Sequence, residues 1–136
     1  MIGHMSAVQA AGVWSGGLIL LMVVLSVRVA MTRRRLKVLF GDGGLDEMNV
    51  ATRAFGNAAE YVPVGIGALI LLAVSGYAPW IVHAFGATFF IGRLVHPIGL
   101  AGTRRGPSIG RVVGMTLTWL SLLAVALSLI ICPHLA

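Results

Sequence analysis

Residues 61–92 read YVPVGIGALILLAVSGYAPWIVHAFGATFFIG, without a single Asp, Glu, Lys or Arg. One bilayer crossing takes roughly 20 apolar residues, so this stretch is too long for one helix. Its middle, Ser75-Gly76-Tyr77-Ala78-Pro79, carries turn residues. It therefore reads as the end of one transmembrane helix, a tight connection and most of the next. Pro79 suits a helix's first turn, where its missing N–H has no partner to lose. Two more runs free of Asp, Glu, Lys and Arg lie outside it, from Met5 to Val27 and from Val112 to Ala136. The reading is an all-α integral membrane bundle with four helices, at about residues 7–30, 46–74, 79–100 and 108–131.

Composition agrees. Hydrophobic residues make up 58% of the 136 positions and charged residues only 10%, whereas soluble domains carry about a quarter charged residues. The chain lacks the polar surface to face water on all sides. No linker, repeat or second domain is legible, so residues 1–136 read as a single transmembrane domain. No basic region precedes the first apolar run, which reads as a retained helix rather than a cleaved signal. A single cysteine, Cys132, rules out an intrachain disulfide framework and a multi-cysteine metal site.

A net charge of +6 raises the question of nucleic acid, and its placement argues against it. Arg28, Arg33, Arg34, Arg35 and Lys37 follow the first apolar run, and Arg104, Arg105 and Arg111 precede the last. Basic loops flanking apolar helices mark the cytoplasmic side. The loops 28–46 and 101–111 are thus expected in the cytoplasm and both termini across the membrane. Phe40-Gly41-Asp42-Gly43-Gly44 breaks the chain between the first two helices, and Asp46 is placed to cap the second. Tyr77 and Trp80 read as anchors at the opposite interface. His83, alone in an apolar stretch, reads as a packing residue.

Several polar residues sit where a membrane helix should have none. Arg53, Asn57 and Glu60, at i, i+4 and i+7 on the second helix, share one face. Arg93 and His96, at i and i+3, share a face of the third. A charge inside the bilayer costs at least ~2.5–3.5 kcal/mol, offset by pairing, by water or by a ligand. The second helix starts, and the third ends, on the basic side, which brings both sets to a similar depth. Glu60 pairing with an arginine as an assembly lock, or Arg53 reaching for the interface, would also account for such residues.

The string Arg53-Ala54-Phe55-Gly56-Asn57-Ala58-Ala59-Glu60-Tyr61-Val62-Pro63 resembles the second-helix signature of the MAPEG superfamily, R-x-x-x-N-x-x-E-Y-x-P. The basic end of the first helix, the Gly-Asp-Gly-Gly loop and Gly92-Arg93-Leu94-Val95-His96 with Gly99 look similar too, so the likeness covers nearly the whole chain. It implies a homotrimer with glutathione bound between neighbours near the cytoplasmic side. By position, Arg53, Asn57, Glu60 and Tyr61 would hold the tripeptide, with Arg93 and His96 as the third-helix polar pair. Arg28 would be contributed by the adjacent subunit. Arg111 would stabilise the glutathione thiolate, with Arg104 and Arg105 as alternatives. The chemistry suits the residues: two carboxylates fit arginines, and an α-amino group fits Glu60 or Asn57. Three positions depart from the family pattern: Phe55 for a histidine, Gly56 for an arginine in some members, and Leu100 for a tyrosine.

The function these features imply is a glutathione-dependent transferase or peroxidase acting on apolar electrophiles or lipid hydroperoxides drawn from the membrane lipids. A non-catalytic lipid- or ligand-binding protein of the same fold is the alternative. A small multidrug exporter comes third. Such transporters typically couple protons through a carboxylate on the first helix, and the first helix here has none before Asp42. Gly12, Gly16, Gly17 and Gly65 are small residues of the kind that permit close helix contact in membranes.

Overall fold

The computed structural model describes residues 5–101 and 108–131. Among them are four helices: α1 (Ala7–Leu36), α2 (Asp46–Val74), α3 (Pro79–Ala101) and α4 (Ile109–Ile131). Each is long and apolar enough to cross a membrane. Arg104, Arg105 and Cys132 lie outside the described residues.

Local chemistry sets the ends. Ser6 opens α1 with a capping box: its hydroxyl accepts from the Gln9 N–H at 3.2 Å, and the Gln9 side chain accepts from the Ser6 N–H at 2.8 Å. The first helix runs to Leu36 rather than ending near residue 30. Arg33, Arg34 and Arg35 lie in its last turn, where cations meet the negative end of the helix dipole. At ~1.5 Å per residue its 30 residues outrun a hydrocarbon core of about 30 Å. Lys37 closes it in the left-handed conformation, φ 55°, with its N–H donating to the Arg33 carbonyl.

The glycine loop works through backbone freedom. Gly41, Gly43 and Gly44 all take positive φ, and the Gly44 N–H donates to the Asp42 carboxylate at 2.9 Å. Asp46 does not cap α2. Leu45 holds the cap position without a side-chain bond, and Asp46 and Glu47 occupy the first turn, where the dipole favours them. Glu47 pairs with Arg35 across the loop, both side chains more than half exposed. Such pairs contribute little. Glu47→Gln is therefore expected to shift unfolding by less than about 1 kcal/mol, read as an almost unchanged melting temperature in detergent.

α1 packs on α2 and α3, α4 packs on α3 and less on α2, and α1 does not touch α4. Lipid tails give apolar side chains little reason to prefer each other, so close packing and small residues must hold such a bundle. Two glycines of this kind act within the chain. Phe89 fills the space where Gly65 lacks a Cβ, and Trp14 does the same at Gly86. Gly65, expected at a helix interface, thus serves the contact of α2 with α3. Gly12 and Gly16 face open space. Each helix buries one stripe and leaves long apolar side chains outside, among them Leu20 and Val24 on α1 and Leu123 and Leu127 on α4.

Two expectations at the far end resolve differently. Tyr77 is buried, and its hydroxyl donates to the Ser128 carbonyl at 2.6 Å, so it ties the α2–α3 turn to α4 rather than anchoring at an interface. Trp80 is exposed. His83 packs edge-on against Trp14 and accepts its indole N–H at 3.0 Å.

Candidate functional site

The site begins with glycines. Gly92 and Gly99 on α3 face Gly114 and Gly110 on α4. A Cβ on Gly114 would stand 2.8 Å from the Gly92 carbonyl oxygen and from the His96 amide nitrogen. One on Gly110 would stand 2.8 Å from the Gly99 α-carbon. Backbone meets backbone here, and no flexible side chain lies between. This contact brings α4's polar groups within reach of Arg93.

Arg93 is 1% exposed and is among the largest fully buried side chains. Its Nε donates to Thr118 Oγ1 at 2.9 Å and its Nη1 to Asn57 Oδ1 at 2.8 Å. Nη2 meets Met115 Sδ at 3.3 Å and the Gly114 carbonyl at 3.5 Å. The guanidinium carbon lies 5.0 Å from the Tyr61 ring centroid, within cation–π range. Thr118 can accept because its own hydrogen goes to the Gly114 carbonyl at 2.8 Å. Every partner is neutral. Among the described residues no carboxylate pairs with Arg93, so its charge is solvated by dipoles and not neutralised.

Next to this cluster is a cleft of about 250 Å³ lined by His96, Arg111, Val112, Met115, Thr116 and Trp119. Ser108 sets the start of the helix that carries Arg111. The Ser108 hydroxyl donates to the Gly99 carbonyl at 2.6 Å and accepts the Arg111 N–H at 3.2 Å, which fixes where α4 starts. Arg111 thus sits in α4's first turn, where the helix dipole disfavours a cation and favours an anion. His96 is buried and makes no hydrogen bond among the described residues. Two residues join cleft and cluster. Met115 touches Arg93 and lines the cleft, while Trp119 lines the cleft and donates its indole N–H to the Tyr61 hydroxyl at 3.1 Å.

The structure therefore brings Asn57, Tyr61 and Arg93 together, with His96 and Arg111 alongside. Arg93 meets Asn57, one turn along α2 from Arg53. Arg53 and Glu60 stay outside the cluster. Both are exposed on the α2 face turned away from the other helices, and neither pairs among the described residues. Arg28 is likewise exposed and lines a separate groove of about 560 Å³ along α1 with Val23, Val24, Val27, Met31, Thr32 and Arg35. Thr118, Met115 and Trp119 were not legible as site residues. A signal that would have found them is Gly110-x-x-x-Gly114 in an apolar helix, with Thr118 one turn further along.

The model of the MAPEG family matches residues 11–131. The chain belongs to the MAPEG family. Inner membrane protein YecN of Escherichia coli strain K12 is 35% identical over 113 residues, covering 80% of this chain and 81% of that protein. YecN of the O6:H1 strain CFT073 matches to the same extent. With four spans and inner membrane relatives, this MAPEG chain is a multi-pass integral membrane protein. The MAPEG family includes glutathione transferases and related proteins.

Proposed function

We propose that this MAPEG protein binds glutathione and uses it as a transferase or peroxidase toward apolar electrophiles or lipid hydroperoxides. The observation that carries the reading is a buried Arg93 with no carboxylate partner among the described residues, linked through Met115 and Trp119 to a cleft that holds Arg111. A guanidinium held by neutral dipoles keeps its full attraction for an anion in a medium of low dielectric. The cleft is an anion site by charge, and its Val112, Met115 and Trp119 walls admit an apolar co-substrate.

The outward Arg53 and Glu60 support the same reading. They present opposite charges at membrane depth with nothing among the described residues to meet them. Glutathione carries both signs at its γ-glutamyl end, so one carboxylate can meet Arg53 while the α-ammonium meets Glu60. That face is completed only by a neighbour. A homotrimer in which Arg28 of the adjacent subunit reaches the tripeptide accounts for an arginine without a partner among the described residues. The basic loops support a cytoplasmic position for this end of the bundle.

Arg111 is the group that stabilises the thiolate, since a nearby positive charge favours the ionised sulfur. The sulfur then bonds to the electrophilic carbon, and the displaced group leaves with its electron pair. In the peroxidase variant two glutathiones become a disulfide as the hydroperoxide is reduced to alcohol and water. A second reading, binding without turnover, draws on Leu100. It is buried and apolar where the family pattern has a tyrosine, so no hydroxyl assists from that position.

Titration with glutathione tests both. Wild type should show saturable binding and thiolate absorbance. Arg53→Ala and Glu60→Gln should each lose at least about tenfold in affinity with unchanged melting, because both side chains are exposed. Binding without thiolate or conjugate selects the non-catalytic reading. No saturation at millimolar glutathione rejects the site.

A further inference from the structure

The pair Trp119 and Tyr61 carries an inference that rests on the glutathione reading and deepens it. Trp119 lies on α4 with its indole N–H 3.1 Å from the Tyr61 hydroxyl oxygen. An indole can only donate. The Tyr61 oxygen is therefore the acceptor, and its own hydrogen must turn away from Trp119. Among the described residues nothing accepts that hydrogen. The other tyrosine differs: Tyr77 spends its hydrogen on the Ser128 carbonyl.

The phenol is thus held at two points from within the chain. The Arg93 guanidinium carbon lies 5.0 Å from the ring centroid, and the Trp119 N–H takes one acceptor direction at the oxygen. We infer that Trp119 is a positioning residue that fixes the Tyr61 hydroxyl as a donor toward an anionic group of bound glutathione, a carboxylate or the thiolate. Bulk does not explain Trp119. It is 57% exposed, and a phenylalanine would cover the same cleft wall without the N–H. A residue able to accept as well as donate would let the Tyr61 hydrogen turn inward and be lost to the ligand.

The test uses ¹⁵N-labelled protein in detergent. The chain has three tryptophans, so three indole resonances are expected, and the one absent from Trp119→Phe is that of Trp119. Tyr61→Phe should move that resonance with no ligand present. Glutathione affinity should fall about five- to tenfold in Trp119→Phe, by a similar factor in Tyr61→Phe, and no further in the double variant. S-methylglutathione, which lacks the ionisable thiol, separates the two acceptors. A penalty that persists with it assigns a carboxylate, and one that vanishes assigns the sulfur. An unmoved indole resonance, or losses that add in the double variant, overturns the inference while glutathione binding stands. A moved resonance with no saturable binding in wild type instead removes glutathione, and with it the acceptor named here.

Discussion

Arg93→Ala is expected to abolish glutathione binding and to lower stability by about 3 kcal/mol, as for other buried charged groups whose hydrogen bonds are cut. The variant leaves the Asn57 carbonyl and the acceptor side of Thr118 without their donor, and it empties the space of a side chain that is 1% exposed. Two further variants separate binding from folding. Arg93→Met restores apolar volume and removes the charge, so it should recover most of the melting temperature and none of the binding. Arg93→Lys keeps the charge but replaces a planar fork with a point donor, which cannot serve Asn57 and Thr118 together. It should bind at least about tenfold more weakly than wild type. Thermal melting in detergent and glutathione titration on the same samples read both effects. An Arg93→Met protein that bound glutathione normally would sink the assignment of Arg93 to the site.

Gly114→Leu is expected to be still more damaging to the fold. Its Cβ would press on the Gly92 carbonyl and the His96 backbone, neither of which can swing aside. α3 and α4 must separate. Overpacking a well-fitted contact costs about 1–3 kcal/mol where side chains can yield, and backbone yields less. The separation would also carry Thr118, Met115 and the Gly114 carbonyl away from Arg93, so site and fold fail together. Gly16→Leu is the control, because nothing lies within 4 Å of a Cβ there. It should leave the melting of the single subunit unchanged, and any effect on size-exclusion behaviour would report on assembly. Equal melting of Gly114→Leu and wild type would show that the glycine contact does not set the approach of the two helices.

Where sequence and structure part, the causes are local and physical. The first helix continues through Arg33, Arg34 and Arg35 to Leu36 because hydropathy marks where apolar residues stop, while arginine is a good helix former suited to a C-terminal turn. Asp46 looked like a cap because aspartate favours that position, yet one residue earlier the chain had already turned. Tyr77 looked like an interface anchor because tyrosine near a helix end usually is one, and its buried bond to Ser128 depends on an α4 carbonyl far along the chain.

Hydropathy and charge alone determined that this protein has four apolar helices, roughly where they turn, and which polar residues interrupt them. Those properties follow from spacing within single helices and from a bilayer's thickness, both of which act locally. Tertiary structure alone decided how the charges are used. Arg93 is satisfied inside by Asn57, Thr118 and Met115, while Arg53 and Glu60, on the same helix as Asn57, are left facing outward. Rotation about a helix axis and the closeness of two backbones depend on what the other helix offers. Here that is the glycine contact of α3 with α4, which places a threonine, a methionine and a tryptophan from α4 around an arginine and a tyrosine.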